Sequence, residues 1–196
     1  MSLLNKTISG NYVQLKSVTR EDFKFIHSMY QDEKTTEQAK YYYKISLNDL
    51  TSLYEERISL VLKGESLDLL IRRSSTNQVI GTCGFKTIND VNKSAYFGVM
   101  IHHKFWGTKA VLESLYLCFE YFFETLAYHK LETSAFTTNM RSQSILNRFI
   151  NVESIQKNVM LIDGEQKDNV VYIITIEDWL KMKEYLKRLI FPKDKN

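Results

Sequence analysis

The middle of the chain changes its hydrophobic period twice, and this change constrains the fold more than any other feature. Residues 95–101 are a short, mostly apolar run typical of a strand, residues 110–126 repeat apolar side chains at helical spacing, and residues 131–137 are again typical of a strand. A strand, a helix and a strand in this order predict a βαβ unit with two parallel strands. Ligands tend to bind near the C-terminal ends of such strands, where the N–H groups that open the following helix attract phosphate.

Shorter signals place the other elements around this unit. Capping boxes at residues 19–22 and 46–49 predict two helices near the N-terminus, and a third at residues 175–178 predicts a final helix. Alternating segments predict an antiparallel meander before the βαβ unit and a hairpin after it. Asp163-Gly164 marks the turn of this hairpin, where we expect a loop longer than two residues. The predicted order is βααβββαβαββα.

Proline and glycine are scarce, which bears on domain organisation. The chain has one Pro, Pro192, and seven Gly among 196 residues, so no Pro/Gly-rich linker divides it. This composition predicts one domain over residues 1–196 with a core of about residues 12–189. The predicted fold class is α+β (mixed α/β): a mostly antiparallel central sheet with one parallel pair and helices on both faces.

Composition also excludes several classes of protein. A net charge of +3 from 26 basic and 23 acidic side chains is too balanced to indicate nucleic-acid binding by electrostatics alone. Cys83 and Cys118 are too few for a disulfide framework or a zinc site, and their apolar neighbours predict buried free thiols. No apolar run approaches the roughly 18 residues of a membrane span, and the N-terminus lacks a signal-peptide segment. We therefore expect a cytoplasmic protein with no bound metal and no membrane contact.

Five short segments follow one another at a characteristic spacing. They are Asn77-Gln-Val-Ile-Gly81, Lys93 to Ile101 with Gly98, Phe105-Trp-Gly107 with Glu113 after it, Asn139-Met-Arg-Ser142, and Val170-Val-Tyr-Ile to Asp178-Trp179. In this order they resemble the GNAT acyl-CoA N-acyltransferases, most closely the branch that contains the ribosomal-protein N-terminal acetyltransferases. The resemblance covers roughly residues 12–180, and its specificity lies in the order and spacing of the segments rather than in any one motif.

The resemblance implies a fold, a cosubstrate and a set of site residues. It implies a GNAT-type sheet whose parallel strands splay apart, and direct transfer of an acetyl group from acetyl-CoA to a primary amine. The cofactor-binding residues implied in this way are Val99, Met100 and Ile101 beside the oxyanion, Trp106, Gly107, Thr108, Lys109, Ala110 and Val111 around the pyrophosphate, and Asn139 and Ser142 along the pantetheine arm.

The pyrophosphate loop departs from the family pattern Q/R-x-x-G-x-G/A at both of its glycine positions. Lys109 stands at the central Gly, and Val111 stands at the second Gly or Ala. A positive φ at Lys109 would cost roughly 1 kcal/mol, and a side chain there would push the pyrophosphate away. Lys109 could instead supply charge to the phosphates, helped by Lys104. A catalytically inactive GNAT-like module that binds a CoA ester or a protein partner therefore stays open as an alternative.

Two side chains are candidates for the catalytic step. Ser142 would give a hydrogen bond or a proton to the departing thiolate, and Tyr96 is the weaker candidate. Each has an ordinary alternative, because Ser142 can help to start a helix and Tyr96 can pack on the sheet. His102 and His103 are candidates for a base, but adjacent residues leaving a strand face opposite ways, so at most one should point into the site.

The sequence leaves the acceptor open between a small amine, an amino sugar and a protein N-terminus. Tyrosines at residues 41–43 suit a sugar or a planar ring, whereas Glu33 and Glu37 offer negative charge to a cationic amine. An enzyme that docks on RNA would need a basic stripe, and the basic helix at residues 181–188 is more simply a solvated face, so a nucleic-acid partner is not expected. A homodimer through the last strands is a further expectation.

Overall fold

An eight-stranded sheet organises the chain in the computed structural model, which describes residues 7–192 apart from the side chain of Tyr41. The strands are β1 (Thr7–Ser9), β2 (Val13–Ser17), β3 (Leu67–Arg73), β4 (Val79–Asn89), β5 (Ser94–Ile101), β6 (Lys130–Phe136), β7 (Val152–Ile162) and β8 (Glu165–Thr175). They lie in the order β1-β2-β3-β4-β5-β6-β8-β7, and each neighbouring pair is antiparallel except β5 and β6. The predicted mostly antiparallel sheet with one parallel pair is confirmed.

Five α-helices cover the two faces of this sheet within the described residues. They are α1 (Phe23–Tyr30), α2 (Leu47–Lys63), α3 (Lys109–Glu120), α4 (Met140–Leu146) and α5 (Ile176–Ile190). A cluster with Tyr30 and Leu50 joins α1 and α2 to one face. A larger cluster with Phe119 and Trp179 joins α3 and α5 to the other face. In residues 7–192, no helix is both long enough and apolar enough to cross a membrane.

Local sequence signals set most helix boundaries. The predicted capping boxes are present just before α1 and at the start of α5. Ser46 accepts a hydrogen bond from the backbone N–H of Asp49 at the start of α2. Gly64 ends α2 with a left-handed backbone, φ 78°, a conformation that glycine adopts without the cost that a Cβ imposes. These helices follow from short-range chemistry, which explains why the sequence predicts them well.

Three elements differ from the prediction. Strand β1 is not predicted, because three residues are too few to show alternation. The last hairpin turns on Asp163 and Gly164 alone, with φ of 51° and 80°, so the longer loop expected there is wrong. Strand β8 starts at this turn with polar residues, 165–169, that carry no hydrophobic alternation. Helix α3 stops at Glu120 and continues as one π-helical turn over Tyr121–Thr125 instead of running on as an α-helix.

The parallel strands β5 and β6 pair only over their first residues. The paired residues are Ser94 with Lys130, Ala95 with Leu131, and Tyr96 with Glu132. Beyond Tyr96 each strand continues, to Ile101 and to Phe136, without pairing to the other. Across the gap the Thr133 hydroxyl donates to the carbonyl oxygen of Phe97 at 3.1 Å, but no backbone ladder joins the two strands there. The splayed pair thus places a candidate site at the C-terminal ends of the two strands.

The two cysteines lie side by side in the core. Cys83 is on β4 and Cys118 is on α3, and their sulfur atoms are 3.3 Å apart without a bond between them. Both side chains are buried. The prediction of buried free thiols is confirmed.

Candidate active site

A cavity of about 550 Å³ follows the gap between β5 and β6. One end lies between the N-terminal parts of α3 and α4, and the other end lies over the sheet beneath α1 and α2. Ten of the residues predicted for the site line it: Tyr96, Val99, Met100, Ile101, Trp106, Gly107, Thr108, Val111, Asn139 and Ser142. The structure therefore brings together residues from β5, the loop before α3, and α4.

In the loop before α3, the residue with a positive φ is not the one expected. Gly107 has a positive φ of 74°, and Thr108 is the residue that precedes the helix, with φ −92°. Lys109 is the first residue of α3 and has no positive φ. The conformational cost expected at Lys109 is therefore absent, because the left-handed backbone falls on the glycine two residues earlier.

The side chain of Lys109 does not line the large cavity. Its Nζ donates to the hydroxyl of Tyr12 at 3.2 Å and to the carbonyl oxygen of Ile190 at 3.0 Å. Lys109 and Ala110 line a second cavity on the other side of the helix start, together with Lys104. The expectation that the Lys109 ammonium faces the phosphates is wrong in this structure, since two oxygen atoms on the opposite side hold it.

Glu113 has a role that the sequence did not reveal. Its side chain is fully buried, and its carboxylate accepts hydrogen bonds from the backbone N–H groups of Asn11, Tyr12 and Val13 at 2.9, 2.6 and 2.8 Å. These donors lie in the turn between β1 and β2, about a hundred residues away. A glutamate on an apolar helix face is the only signal that could have indicated a buried acceptor.

The start of α4 is held by a cap within the cavity wall. Asn139 accepts a hydrogen bond from the backbone N–H of Ser142 at 3.2 Å. Both residues line the cavity and are partly exposed to it. The side chain of Ser142 is therefore available to a ligand as well as lying in the first turn of the helix, so both interpretations of Ser142 stay open.

Tyr96 lies where the parallel strands begin to separate. Its hydroxyl is 2.9 Å from the hydroxyl of Ser134 on β6, which in turn accepts from the side-chain amide of Asn169 at 3.3 Å. The sequence predicts Tyr96 as a site residue but not these two partners, which come from strands 38 and 73 residues later in the chain. The network fixes the Tyr96 ring at the inner end of the gap.

The other end of the cavity contains a buried ion pair. Arg57 on α2 donates to Asp68 on β3 at 3.4 Å and to the hydroxyl of Tyr42 at 2.9 Å. Burial raises the pKa of the Asp68 carboxyl even though Arg57 lies beside it. Its Oδ2 atom makes no hydrogen bond with the described residues. We call the part of the cavity lined by Tyr42, Arg57, Asp68 and Tyr96 the acceptor half.

Arg141 and Trp106 form a stacked pair in the wall of the cavity. The guanidinium of Arg141 lies 3.6 Å from the centre of the Trp106 ring, and it also pairs with Glu37 at 3.2 Å. The indole N–H of Trp106 donates to the carbonyl oxygen of Ile101 at 2.8 Å, which fixes the ring. Trp106 and Glu37 were each singled out from the sequence, but their contacts with Arg141 were not predicted, because a single cation among other polar residues has no distinguishing pattern.

His102 and His103 contradict the expectation that they face opposite ways. The strand ends at Ile101, and the two rings stack with centres 4.8 Å apart. His103 Nδ1 is 2.9 Å from the carboxylate of Asp32, which follows α1. One ligand atom from each of these three side chains lies within 4.8 Å of the others, so within the described residues they are the group that could hold a metal ion.

Asp32 gives a pH-dependent prediction. Hydrogen bonding from the Thr35 side chain, then from its backbone N–H and from His103, lowers the pKa of Asp32 from 3.8 to about 2. The folded state therefore favours the carboxylate, which adds stability above pH 4 and loses it as the pH falls toward 2. We expect Asp32→Asn to be less stable than wild type at pH 7 in urea unfolding, and we expect this difference to shrink to about a third by pH 2.5. A difference that stays constant over this range would contradict the role of the carboxylate.

Comparisons with known proteins agree with the fold. Residues 13–149 match the family model of the acetyltransferase (GNAT) domain. Over 161 residues, the chain is 24% identical to the uncharacterized N-acetyltransferase p20 of Bacillus licheniformis, covering 82% of this chain and 88% of that protein. It is 28% identical over 104 residues to the ribosomal protein uS5 alanine N-acetyltransferase of Escherichia coli, which spans 52% of this chain and 54% of that enzyme.

A solved structure shows the same fold. The spermidine N-acetyltransferase of Vibrio cholerae, in complex with CoA and spermine, superposes with a TM-score of 0.76 and 19% identity, over 87% of this chain and 99% of that one. The fold, the cavity at the splayed strands and the family match together define an acetyltransferase. The chain belongs to the GNAT acetyltransferase family, and acetyl-CoA is its cosubstrate.

Proposed function

We propose that this acetyltransferase moves the acetyl group directly from acetyl-CoA to a primary alkylamine in the acceptor half. The observation that supports this proposal is the continuity of the cavity from Trp106 and Gly107, past the free edge of β5, to Asp68 and Arg57. The relatives described above are named for a protein N-terminal alanine and for spermidine, and both acceptors present an alkylamine. A small molecule, an amino sugar or a protein N-terminus all fit this chemistry.

The acceptor half must help to form the free amine. An alkylammonium with a pKa of about 10.4 is neutral in only about 1 part in 2,500 at pH 7, a deficit of roughly 4.6 kcal/mol. Partial burial favours the neutral amine, which can then attack the thioester carbonyl carbon. A backbone N–H around Val99, Met100 and Ile101 would meet the oxyanion. When the C–S bond breaks, Ser142 would hydrogen-bond the thiolate, which takes up the proton that the amine loses.

One observation favours the alternative of an inactive module that binds a CoA ester or a protein partner. Val111 lines the cavity at the position where the family pattern has Gly or Ala. A β-branched side chain there narrows the space for the pyrophosphate. A CoA-ester-binding module differs from the transferase in turnover, whereas a protein-interaction module does not need the cofactor.

Calorimetric titration with acetyl-CoA tests the proposal, with free CoA and 3′-phospho-AMP as controls. We expect a dissociation constant in the micromolar range for acetyl-CoA, followed by release of free thiol when a suitable primary amine is added. Absence of binding at millimolar acetyl-CoA would contradict both the transferase and the CoA-ester-binding module. Binding without thiol release across alkylamines, amino sugars and N-terminal peptides would favour the inactive module.

Ser142→Ala separates catalysis from helix capping. If Ser142 assists the departing thiolate, we expect kcat to fall by about tenfold or more while the acetyl-CoA affinity stays within about twofold. The hydroxyl does not form the cap, because Asn139 accepts from the Ser142 backbone N–H. The melting temperature should therefore be nearly unchanged. Equal kcat in the variant and in the wild type would leave Ser142 with a structural role only.

Three broader properties belong to the same proposal. We propose that residues 1–196 form one domain, since β7, β8 and α5 complete the sheet and core begun by residues 13–149. We propose a cytoplasmic protein, which agrees with two unbridged core thiols. A homodimer is supported by β7, an outer strand of the sheet with exposed Ile155, Val159 and Leu161.

A further inference from the structure

The segment between α1 and α2, residues 31–46, forms a strap across the cavity mouth. Glu37 pairs with Arg141, Gln38 accepts a hydrogen bond from Thr138 at 3.3 Å, and Lys40 pairs with Asp163 at 2.5 Å. These contacts join the strap to the start of α4 and to the tip of the last hairpin. The Glu37–Arg141 pair is the contact that lies beside the loop leading into α3, because Arg141 stacks on Trp106.

Trp106 occupies a position at which the family loop places a side chain with N–H donors. The pattern Q/R-x-x-G-x-G/A begins with Gln or Arg, and here its first residue is Trp106. The ring itself carries no charge, and its one N–H donor is used by Ile101. The guanidinium of Arg141 stacks on this ring, so α4 places a cationic donor beside the first residue of the loop.

The cations of the loop and of the start of α3, Lys104 and Lys109, line the second cavity instead of the large one. Lys109 is held on the opposite side by Tyr12 and Ile190. Arg148 also lines the cavity, but its guanidinium donates to the hydroxyl of Tyr185 on α5. Arg141 is therefore the cation best placed to meet a phosphate that binds at Gly107 and Thr108.

We propose that Arg141 binds the pyrophosphate of acetyl-CoA and that it leaves Glu37 to do so. This inference rests on the proposed function, because it assumes that the cofactor's phosphates lie at the loop before α3. The guanidinium keeps its stacking contact with Trp106 and exchanges one anionic partner for another. Glu37 is the competing anion while the cofactor is absent.

The exchange is favourable on electrostatic grounds. The side chains of Arg141 and Glu37 are 52% and 39% exposed, and an exposed pair of this kind contributes only about 0–1 kcal/mol. A pyrophosphate carries more charge than a carboxylate, and it matches the planar fork of a guanidinium with two parallel hydrogen bonds. Release of Glu37 also frees a carboxylate at the rim of the cavity, next to the acceptor half. Cofactor binding thus prepares the site for a cationic acceptor.

Calorimetric titration of the full chain with CoA and with 3′-dephospho-CoA tests this assignment. We expect Arg141→Gln to weaken binding of both ligands by about 10- to 100-fold, since one charge-assisted interaction is lost. Arg141→Lys keeps the charge but lacks the planar guanidinium. Its affinity for both ligands should therefore lie between those of Arg141→Gln and wild type. Glu37→Gln removes the competing anion and should strengthen binding of both ligands by about two- to fivefold.

Arg20 and Glu55 provide matched controls. They form a second exposed Arg–Glu pair, at 2.5 Å, on a surface that does not line the cavity. Arg20→Gln and Glu55→Gln change the net charge in the same way as the test variants, so they measure the effect of overall charge alone. We expect both control variants to bind CoA within about twofold of wild type. Melting temperatures of all variants establish that each one is folded.

The possible results separate this inference from the proposed function. Unchanged CoA affinity in Arg141→Gln would overturn the inference while the proposed function stands. Weaker binding of CoA but not of 3′-dephospho-CoA would assign Arg141 to the 3′-phosphate and would also overturn it. Equal or weaker binding in Glu37→Gln would show that Glu37 only positions Arg141, with no competition. Wild-type protein that binds neither ligand would refute the proposed function itself, and the inference with it.

Discussion

Replacing Glu113 with Ala is expected to lower the free energy of unfolding by about 3–5 kcal/mol. The carboxylate is fully buried and accepts three backbone N–H groups from the turn between β1 and β2. Without it, these donors lose their partner and a cavity remains. For a chain of this length the melting temperature should fall by about 10 °C. Thermal unfolding followed by circular dichroism measures this change.

Two further variants show whether the carboxylate or its volume matters. Glu113→Gln keeps the volume but presents an N–H₂ group to at least one donor, so it should lose a large part of the same stability. A Cβ added at Gly10 would lie 2.6 Å from the Glu113 carboxyl carbon, so Gly10→Ala should also destabilise the protein. Glu56→Ala on the exposed face of α2 serves as the control and should change stability by less than about 0.5 kcal/mol. A Glu113→Ala variant as stable as this control would contradict the stabilising role of the Glu113 carboxylate.

Gly98→Leu is expected to abolish acetyl transfer while the protein stays folded. Gly98 lies on β5 in the cavity wall, and a Cβ built there meets no atom within 4 Å. A leucine side chain would therefore extend into the space between the cofactor end and the acceptor half. Displacement of the reacting groups by about 1 Å can cost about 100-fold in rate, so we expect kcat/KM to fall at least that much. The strand itself should gain stability from losing a glycine.

The neighbouring Gly84 is the matched control for Gly98. The two glycines are paired across β4 and β5, yet a Cβ at Gly84 would lie 2.1 Å from the carbonyl oxygen of Leu67. Gly84→Ala should therefore damage the fold, whereas Gly98→Ala should leave the melting temperature equal to or slightly above that of wild type and reduce activity only in part. Steady-state kinetics with the best amine of the acceptor screen, together with thermal unfolding, separate the two effects. Full activity in Gly98→Leu would place the acetyl transfer elsewhere.

Much of the fold could be predicted from sequence because its signals are local. The short strand-like runs of β5 and β6, the helical period of α3 and the caps before α1 and α5 each lie within a few consecutive residues. The βαβ unit then fixed the parallel pair and the edge at which the site lies. The errors fall where the local signal is weak or absent, as in the short strand β1 and in the polar end of the last hairpin.

The candidate site was predicted less completely, for a related reason. The residues that line the cavity follow from the loop and strand positions, so most of them were predicted correctly as neighbours. Their partners are distant in sequence: Glu37 meets Arg141 across 104 residues, and Asp32 meets His103 across 71. A lone charged residue carries no information about which distant group it meets. Lys109 is the clearest case, because its charge suggested a phosphate and its contacts lie elsewhere.

The hydrogen bonds from the turn between β1 and β2 to Glu113 also bear on the order in which the chain folds during synthesis. The hairpin of β1 and β2 leaves the ribosome before α3, and the acceptor for its three turn N–H groups is translated about a hundred residues later. Contacts of such long separation form late, because the intervening chain must be closed into a loop first. Nascent chains that end before α3 should therefore keep the Gly10–Val13 turn open to protease, and chains that extend beyond β6 should protect it. The turn between β1 and β2 is thus synthesised before α3 but gains its hydrogen bonds to Glu113 only after α3 has formed.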